Sequence, residues 1–346
     1  MTVMATRTGL GWEHRIDDVP AAVAWSGGLC VVAGAAGGVR LLDAATGQLL
    51  ARIVLPGGVR RAGFSPDGTV VALAGPTGYA LWRVTDGALL VRTPGLPARF
   101  AWSAGDGCAV SFGGAVRVYA GDTGAESWRA VDGPERVDDV VWVDSAGGLA
   151  IALGGEVHMY GPRGRTNVWT YPVPVRVLAG APDGAWLCAA GDAPGVHVRG
   201  AGGTHEDLGA AGGAPIAGLA LDPGGRWLAA EDRSGLTVWD LAARGGRVRP
   251  RPRRLPAQPR ACTPSWRPGG GGSGGGGGLM ATSGGDGMLV VWDVRTGSPR
   301  RAPTPLARRH VSAAICALAW HGRAALLFAD ETGRVCVQRF PEIGGR

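Results

Sequence analysis

Residues 283–297 read SGGDGMLVVWDVRTG, a Gly/Asp turn, a run of apolar residues ending in Trp292-Asp293, and a second Gly-containing turn. The alternation of side chains through MLVVWDV has the period of a β-strand, and the flanking turn residues bound it. The question is whether this strand stands alone or is one copy of a repeat. Similar stretches occur at GVRLLDAATG (38–47), GYALWRVTDG (78–87), AVRVYAGDTG (115–124) and LTVWDLAARG (236–245). A second family of segments precedes them, including VRRAGFSPDGTVVALAG (59–75), VRVLAGAPDGAWLCAAGD (175–192), PIAGLALDPGGRWLAAED (215–232) and CTPSWRPGGGG (262–272).

Each copy of this second family starts with an alternating apolar segment that closes on one residue before a Pro/Gly/Asp turn. Those closing residues are Trp25, Phe64, Trp102, Trp142, Gly180, Leu221, Trp266 and Trp320, spaced by 39, 38, 40, 38, 41, 45 and 54 residues. A period near 40 with four short strands per unit is the signature of propeller blades. The last unit, AICALAWHG, AALLFADETG and RVCVQRF, supplies three strands, and WEHRIDD (12–18) resembles LARIVLP (50–56), so the beginning of the chain can supply the fourth. Pairing the two chain ends closes the ring and leaves no open sheet edge.

On these segments the chain resembles the WD-repeat β-propeller family, whose Trp-Asp pair stands here at Trp239-Asp240 and Trp292-Asp293. The expected fold is all-β, a single propeller over 1–346 with eight four-stranded blades; seven blades plus a degenerate unit is the alternative. The closing strand is placed at 1–18 and the blades at 19–55, 56–94, 95–131, 132–173, 174–211, 212–258, 259–311 (with a Gly-rich insert, 269–278) and 312–346. The family's hydrogen-bond network joins a His, a Ser or Thr, an Asp and the Trp. The resemblance implies these roles for Ser283, Asp286 and Trp292 in one unit, and for His310 ahead of the last, although no Gly-His pair occurs anywhere.

Composition limits the function classes. With 45% hydrophobic and 18% charged residues the chain is too apolar to be disordered, and 62 Gly with 24 Pro demand frequent turns without a collagen period. The six cysteines form no CxxC pair, and most sit in apolar runs where a buried thiol is expected. The six histidines, His14, His158, His197, His205, His310 and His321, are scattered, and His205-Glu206-Asp207 reads as a solvated outer strand. There is no GxSxG elbow, and GGGGSGGGGG lacks the Lys and helix of a phosphate-binding loop. No catalytic residue, metal ligand or cofactor is expected. The start lacks the apolar core of a signal peptide and no run is long enough to span a membrane, so the expectation is a cytoplasmic protein with no membrane partner.

The net charge is +7 and every one of the 35 basic residues is Arg, a bias that a GC-rich coding sequence would also produce. One cluster, Arg249, Arg251, Arg253 and Arg254, with Arg300, Arg301, Arg308 and Arg309 one blade later, reads either as Arg and Pro protecting outer edges or as a basic patch for nucleic acid or an acidic protein. Another set, Arg60, Arg61, Arg99, Arg136, Arg176 and Arg260, lies where the chain enters the first strand of successive units. The resemblance places those points on one face near the central channel, where partners of this family commonly bind. Six guanidinium groups converging there would form a ring for carboxylate or phosphate. The functional expectation is thus a non-catalytic scaffold binding one or more proteins with acidic surface. A nucleic-acid module and a propeller enzyme are the alternatives, and the oligomeric state is open.

Overall fold

The computed structural model describes residues 10–143, 148–181, 183–200, 204–209, 213–241, 252–256, 264–268, 277–296, 302–322 and 324–340. These form 32 strands, numbered β1–β32 along the chain, in eight four-stranded antiparallel sheets. The eight-bladed, all-β expectation holds. No helix among the described residues is long and apolar enough to cross a membrane.

Seven blades use four consecutive strands. The eighth has the order β1-β32-β31-β30, in which β1 (Leu10–Arg15) pairs with β32 (Arg334–Arg339) on the outside of β31 (Ala325–Asp330) and β30 (Ile315–His321). The N-terminal strand therefore closes the ring, beginning two residues before WEHRIDD and ending at Arg15. Trp12 fastens the closure to the first blade, since its indole donates to the carbonyl of Ala44 at 2.8 Å in a buried contact.

The second strand of a blade explains why many apolar runs show no polar alternation. In β7 (Val70–Gly75) every residue is buried. Val71 and Leu73 pack with Val31, Ala33 and Val39 of the preceding blade, whereas Val70, Ala72 and Ala74 pack with Cys108 and Val110 of the following one. Successive side chains point to opposite faces, and in a propeller both faces of a blade meet a neighbour. Outer strands such as β5 (Leu49–Val54) have only one covered face and show half-exposed alternation.

The innermost strands are β2 (Pro20–Ser26), β6 (Arg61–Phe64), β10 (Ala98–Trp102), β14 (Val137–Trp142), β18 (Val175–Gly180), β22 (Ile216–Leu221), β26 (Ser265–Trp266) and β30. The residue that closes the repeated first segment has a recurrent role here. Trp142 donates its indole N–H to the carbonyl of Ala101 at 3.0 Å, Trp266 to Ala220 at 3.1 Å and Trp320 to Ser265 at 2.8 Å. In each case the acceptor is one residue before the corresponding marker of the preceding blade, so the same bond ties these pairs of neighbouring innermost strands, whereas the Trp25 indole is buried without a partner among the described residues.

The expected network around Trp292 is corrected. Its indole donates to Thr282 Oγ1 at 2.8 Å, while Ser283 is fully buried with its hydroxyl unpartnered. Trp292 is in register with Met280, so the residue two positions along on the same face is Thr282 and Ser283 points to the other face. Asp286 accepts from the backbone N–H of Met288, and His310 ends the exposed edge of β29 (Pro305–His310). Trp239 is buried by packing between the fifth and sixth blades, and Asp240 and Asp293 hold Arg226 and Arg295.

Candidate functional site

The innermost strands line a central channel, and five of them begin with a conformational device. In β14, β18, β22 and β30 the register slips by one residue at Asp138, Arg176, Ala217 and Cys316, the position next to the channel mouth, as it does at Ala21 in β2. Such bulges re-aim side chains at a sheet end. In the second blade Arg60 N and Arg61 both face Ala74, which gives the same two-against-one arrangement. The mouth is thus built from bulged pairs whose side chains differ from blade to blade.

Those pairs make the mouth two-sided. On the first, sixth and eighth blades they are Ala21-Ala22, Ala217-Gly218 and Cys316-Ala317, small residues bordering a channel cavity of about 470 Å³. On the second, fourth and fifth blades they are Arg60-Arg61, Asp138-Asp139 and Arg176-Val177, and the third blade, in regular register, adds Arg99. Asp139, only 4% exposed, accepts from Arg99 at 3.2 Å and from the backbone N–H of Leu178 at 3.0 Å, with Arg61 at 3.8 Å. One carboxylate therefore joins side chains or backbone of four blades. The neighbouring Asp138 accepts two hydrogen bonds from Arg176 at 3.0 Å, and Arg176 also binds the exposed Asp192 at 2.9 Å. Hydrogen bonding to Asp192 raises the guanidinium of Arg176 above its ordinary value and in return lowers the carboxyl of Asp192. Desolvation by the channel wall lowers Arg61, a pull that Asp139 opposes and Arg99 reinforces.

Of the six Arg expected to ring the channel, the five that are described form an arc. Arg60, Arg61, Arg99, Arg136 and Arg176 lie on one face across the second to fifth blades, and Arg260 falls outside the described residues. Arg61, Arg99 and Arg176 are committed to Asp138, Asp139 and Asp192, acidic partners that sequence reading overlooked because VDD opens an ordinary strand. Arg60 and Arg136 are exposed, and their side chains enter no hydrogen bond or ion pair among the described residues. Both line a cleft of about 500 Å³ whose walls include Pro76, Leu96, Pro97, Pro134 and Val137. Arg60 and Arg61 also line the channel mouth, and Arg136 also lines a second hollow that reaches Arg176. Leu96 is 50% exposed, a large apolar side chain left on the rim of the same cleft.

The Arg-rich outer segments are only partly described, since Arg249, Arg251, Arg300, Arg301 and the insert residues 269–276 lie outside the described residues. Arg253 donates to the carbonyl of Val294 at 2.5 Å and stacks over Trp227, so it bridges the sixth and seventh blades. Arg254 donates to the carbonyl of Ser234 at 2.8 Å. Both guanidinium groups serve the architecture. Arg308 and Arg309 lie on β29, where Arg308 is exposed.

Away from the mouth, Cys30, Cys108, Cys188 and Cys336 are buried, and burial pushes the Cys30 thiol up to about 12, which leaves it protonated and unreactive. Glu231, across from Gly218 of the innermost strand, is raised to about 7 by burial and by the neighbouring Asp232. A raised carboxyl binds a proton more tightly in the folded state, so its stabilising protonated form is complete near pH 4.5 and lost as pH rises through 7. Glu231→Gln is expected to leave stability unchanged near pH 4 and to raise it by about 2 kcal/mol at pH 8, measured by urea unfolding at both values. Equal effects at the two pH values would disprove the shift. Finally, His197 and His205, isolated in the sequence, are brought together by a hairpin of the fifth blade, with ring centroids 6.0 Å apart.

No family model and no curated protein matches the chain by sequence. Solved structures do. The chain is similar to Sqt1 from Chaetomium thermophilum, with a TM-score of 0.75 at 16% identity over 96% of this chain and 99% of that one. It is similar to the computationally designed protein Ika8, with a TM-score of 0.74 at 16% identity over 96% and 99% of the two chains. At that identity the likeness is one of fold alone.

Proposed function

We propose that the chain is a divergent WD-repeat protein that acts as a non-catalytic cytoplasmic scaffold, holding an acidic segment of a partner protein in the cleft across the second to fourth blades. The observation that carries this reading is the pair Arg60 and Arg136, two uncommitted cations on one apolar-walled cleft beside an exposed Leu96. Guanidinium groups bind carboxylates in bidentate geometry, and the prolines and Leu96 offer a surface for an apolar side chain next to the acid. Arg61, Arg99 and Arg176 serve a different purpose, since their carboxylates hold the mouth rigid and spare the partner the cost of ordering it. The lining of guanidinium groups, prolines and small apolar residues suits holding a carboxylate rather than moving a proton.

The test is a pull-down from the native host's lysate at two salt concentrations, with and without nuclease, comparing the wild type with Arg60→Glu/Arg136→Glu. A defined protein that survives nuclease, weakens with salt and binds the variant at least about tenfold less is expected, because charge reversal opposes steering and contact together. Material held equally by both proteins, or released entirely by nuclease, would refute the reading.

A further inference from the structure

The outer hairpin of the fifth blade carries a side-chain cluster with no place in the scaffold reading. It consists of β20 (Val196–Gly200) and β21 (His205–Leu208), paired so that His197 lies directly across from Asp207 and Arg199 across from His205. His205 and Asp207 are two residues apart and share one face of the sheet, and His197 joins them on that face from the neighbouring strand. Nδ1 of His197 and Nε2 of His205 both approach the same oxygen of Asp207, the second at 3.4 Å. One ligand atom from each of the three residues lies within 4.8 Å of the others.

From this geometry we infer that His197, His205 and Asp207 form a binding site for one divalent transition-metal ion, with zinc the ion of choice. Two imidazoles and one carboxylate are the donor set that zinc and its neighbours in the transition series accept. A tetrahedral ion with bonds of about 2.0–2.2 Å holds its ligand atoms about 3.3–3.6 Å apart, which small side-chain rotations satisfy here. The ion sits between the two imidazole nitrogens and the Asp207 oxygen that both approach. Each imidazole then binds through the nitrogen facing Asp207 and keeps its remaining proton on the other, Nε2 of His197 and Nδ1 of His205. Any proton in excess of that one goes to solvent.

The surroundings support binding from one side only. The His197 ring packs on Tyr171 at 4.8 Å between centroids, which fixes its orientation from the inside. The one cation on this face of the hairpin, Arg199, has its guanidinium over the rings of Trp169 and Tyr171, at 4.7 and 5.9 Å. Glu206, between the two exposed ligands, belongs to the opposite face of the strand. His205 and Asp207 are open to solvent, so the ion's remaining position faces outward on the rim of the propeller and takes water or a donor from another molecule. A bound ion would pin the four-residue edge strand β21 to β20.

Tag-free full-length protein is titrated with zinc chloride by calorimetry at pH 7.5, and with cobalt(II) while its visible absorption is followed. The expected result is one ion per chain, a tetrahedral-type cobalt spectrum and a rise in melting temperature with zinc. His205→Ala and Asp207→Asn, whose side chains are exposed and dispensable for folding, should each weaken binding at least about tenfold and abolish the melting shift. His310→Ala, an exposed histidine outside the cluster, should bind as the wild type does. Absence of zinc binding at about 100 μM, far above the range of a genuine protein site, or unchanged binding in both cluster variants, would overturn the assignment.

Discussion

Asp139→Ala is expected to cost about 3 kcal/mol of stability, a fall of roughly 4 °C in melting temperature for a chain of this length. The carboxylate is buried, and its removal strands three donors at once: the buried backbone N–H of Leu178, the guanidinium of Arg99 and that of Arg61. An orphaned buried N–H alone costs about 1–3 kcal/mol. The ionic part is smaller than for a fully buried pair, because the Arg99 and Arg61 side chains remain 32% and 45% exposed and water screens them. Asp139→Asn separates the two contributions. It keeps an acceptor for Leu178 while removing the charge, and should recover more than half of the loss. Denaturant unfolding of both variants decides the matter, and an alanine variant as stable as the wild type would show that Asp139 does not hold the four blades together at the mouth.

Gly180→Ala should be comparably damaging, by about 1–3 kcal/mol and toward the upper end of that range. Gly180 occupies the marker position that is Trp in five other units, and a Cβ built there meets the carbonyl oxygen of Trp142 at 2.3 Å. The obstacle is backbone, so no rotamer change relieves it, and the fourth and fifth blades must separate. The clash forces apart the same two innermost strands that Asp139 and the Leu178 N–H join two to three residues away, so the substitution should also loosen the mouth. Lower unfolding midpoints together with faster amide exchange at Leu178 are the expected readout; a variant that unfolds like the wild type would mean the blades accommodate the methyl group freely.

The opening stretch shows how far local pattern reaches. MLVVWDV announced a strand and its repetition announced blades, because period-two burial and turn chemistry are properties of a few consecutive residues. The partner of Trp292 was expected to be Ser283, and the register chose Thr282 instead because pleating puts neighbours on opposite faces. The marker tryptophans were visible as spacing, whereas their bonds to the preceding blade connect residues about forty positions apart and appear only once the ring is built.

The candidate sites divide in the same way. A set of Arg at strand starts was evident in the sequence, but which of them carry free charge depends on Asp138, Asp139 and Asp192, and on bulges that turn those side chains toward one another. His197 and His205 read as isolated because eight residues separate them; the hairpin register makes them neighbours.

By itself the sequence determined the all-β class, the blade period and the closure of the ring by the N-terminal strand. Those follow from alternation, turn residues and the need to leave no edge unpaired. Only the tertiary structure decided which charges are spent on holding blades together and which remain for a partner, and which histidines meet. Electrostatic and ligand interactions depend on distances of a few ångströms between segments remote in the chain, and only the closed ring sets those distances.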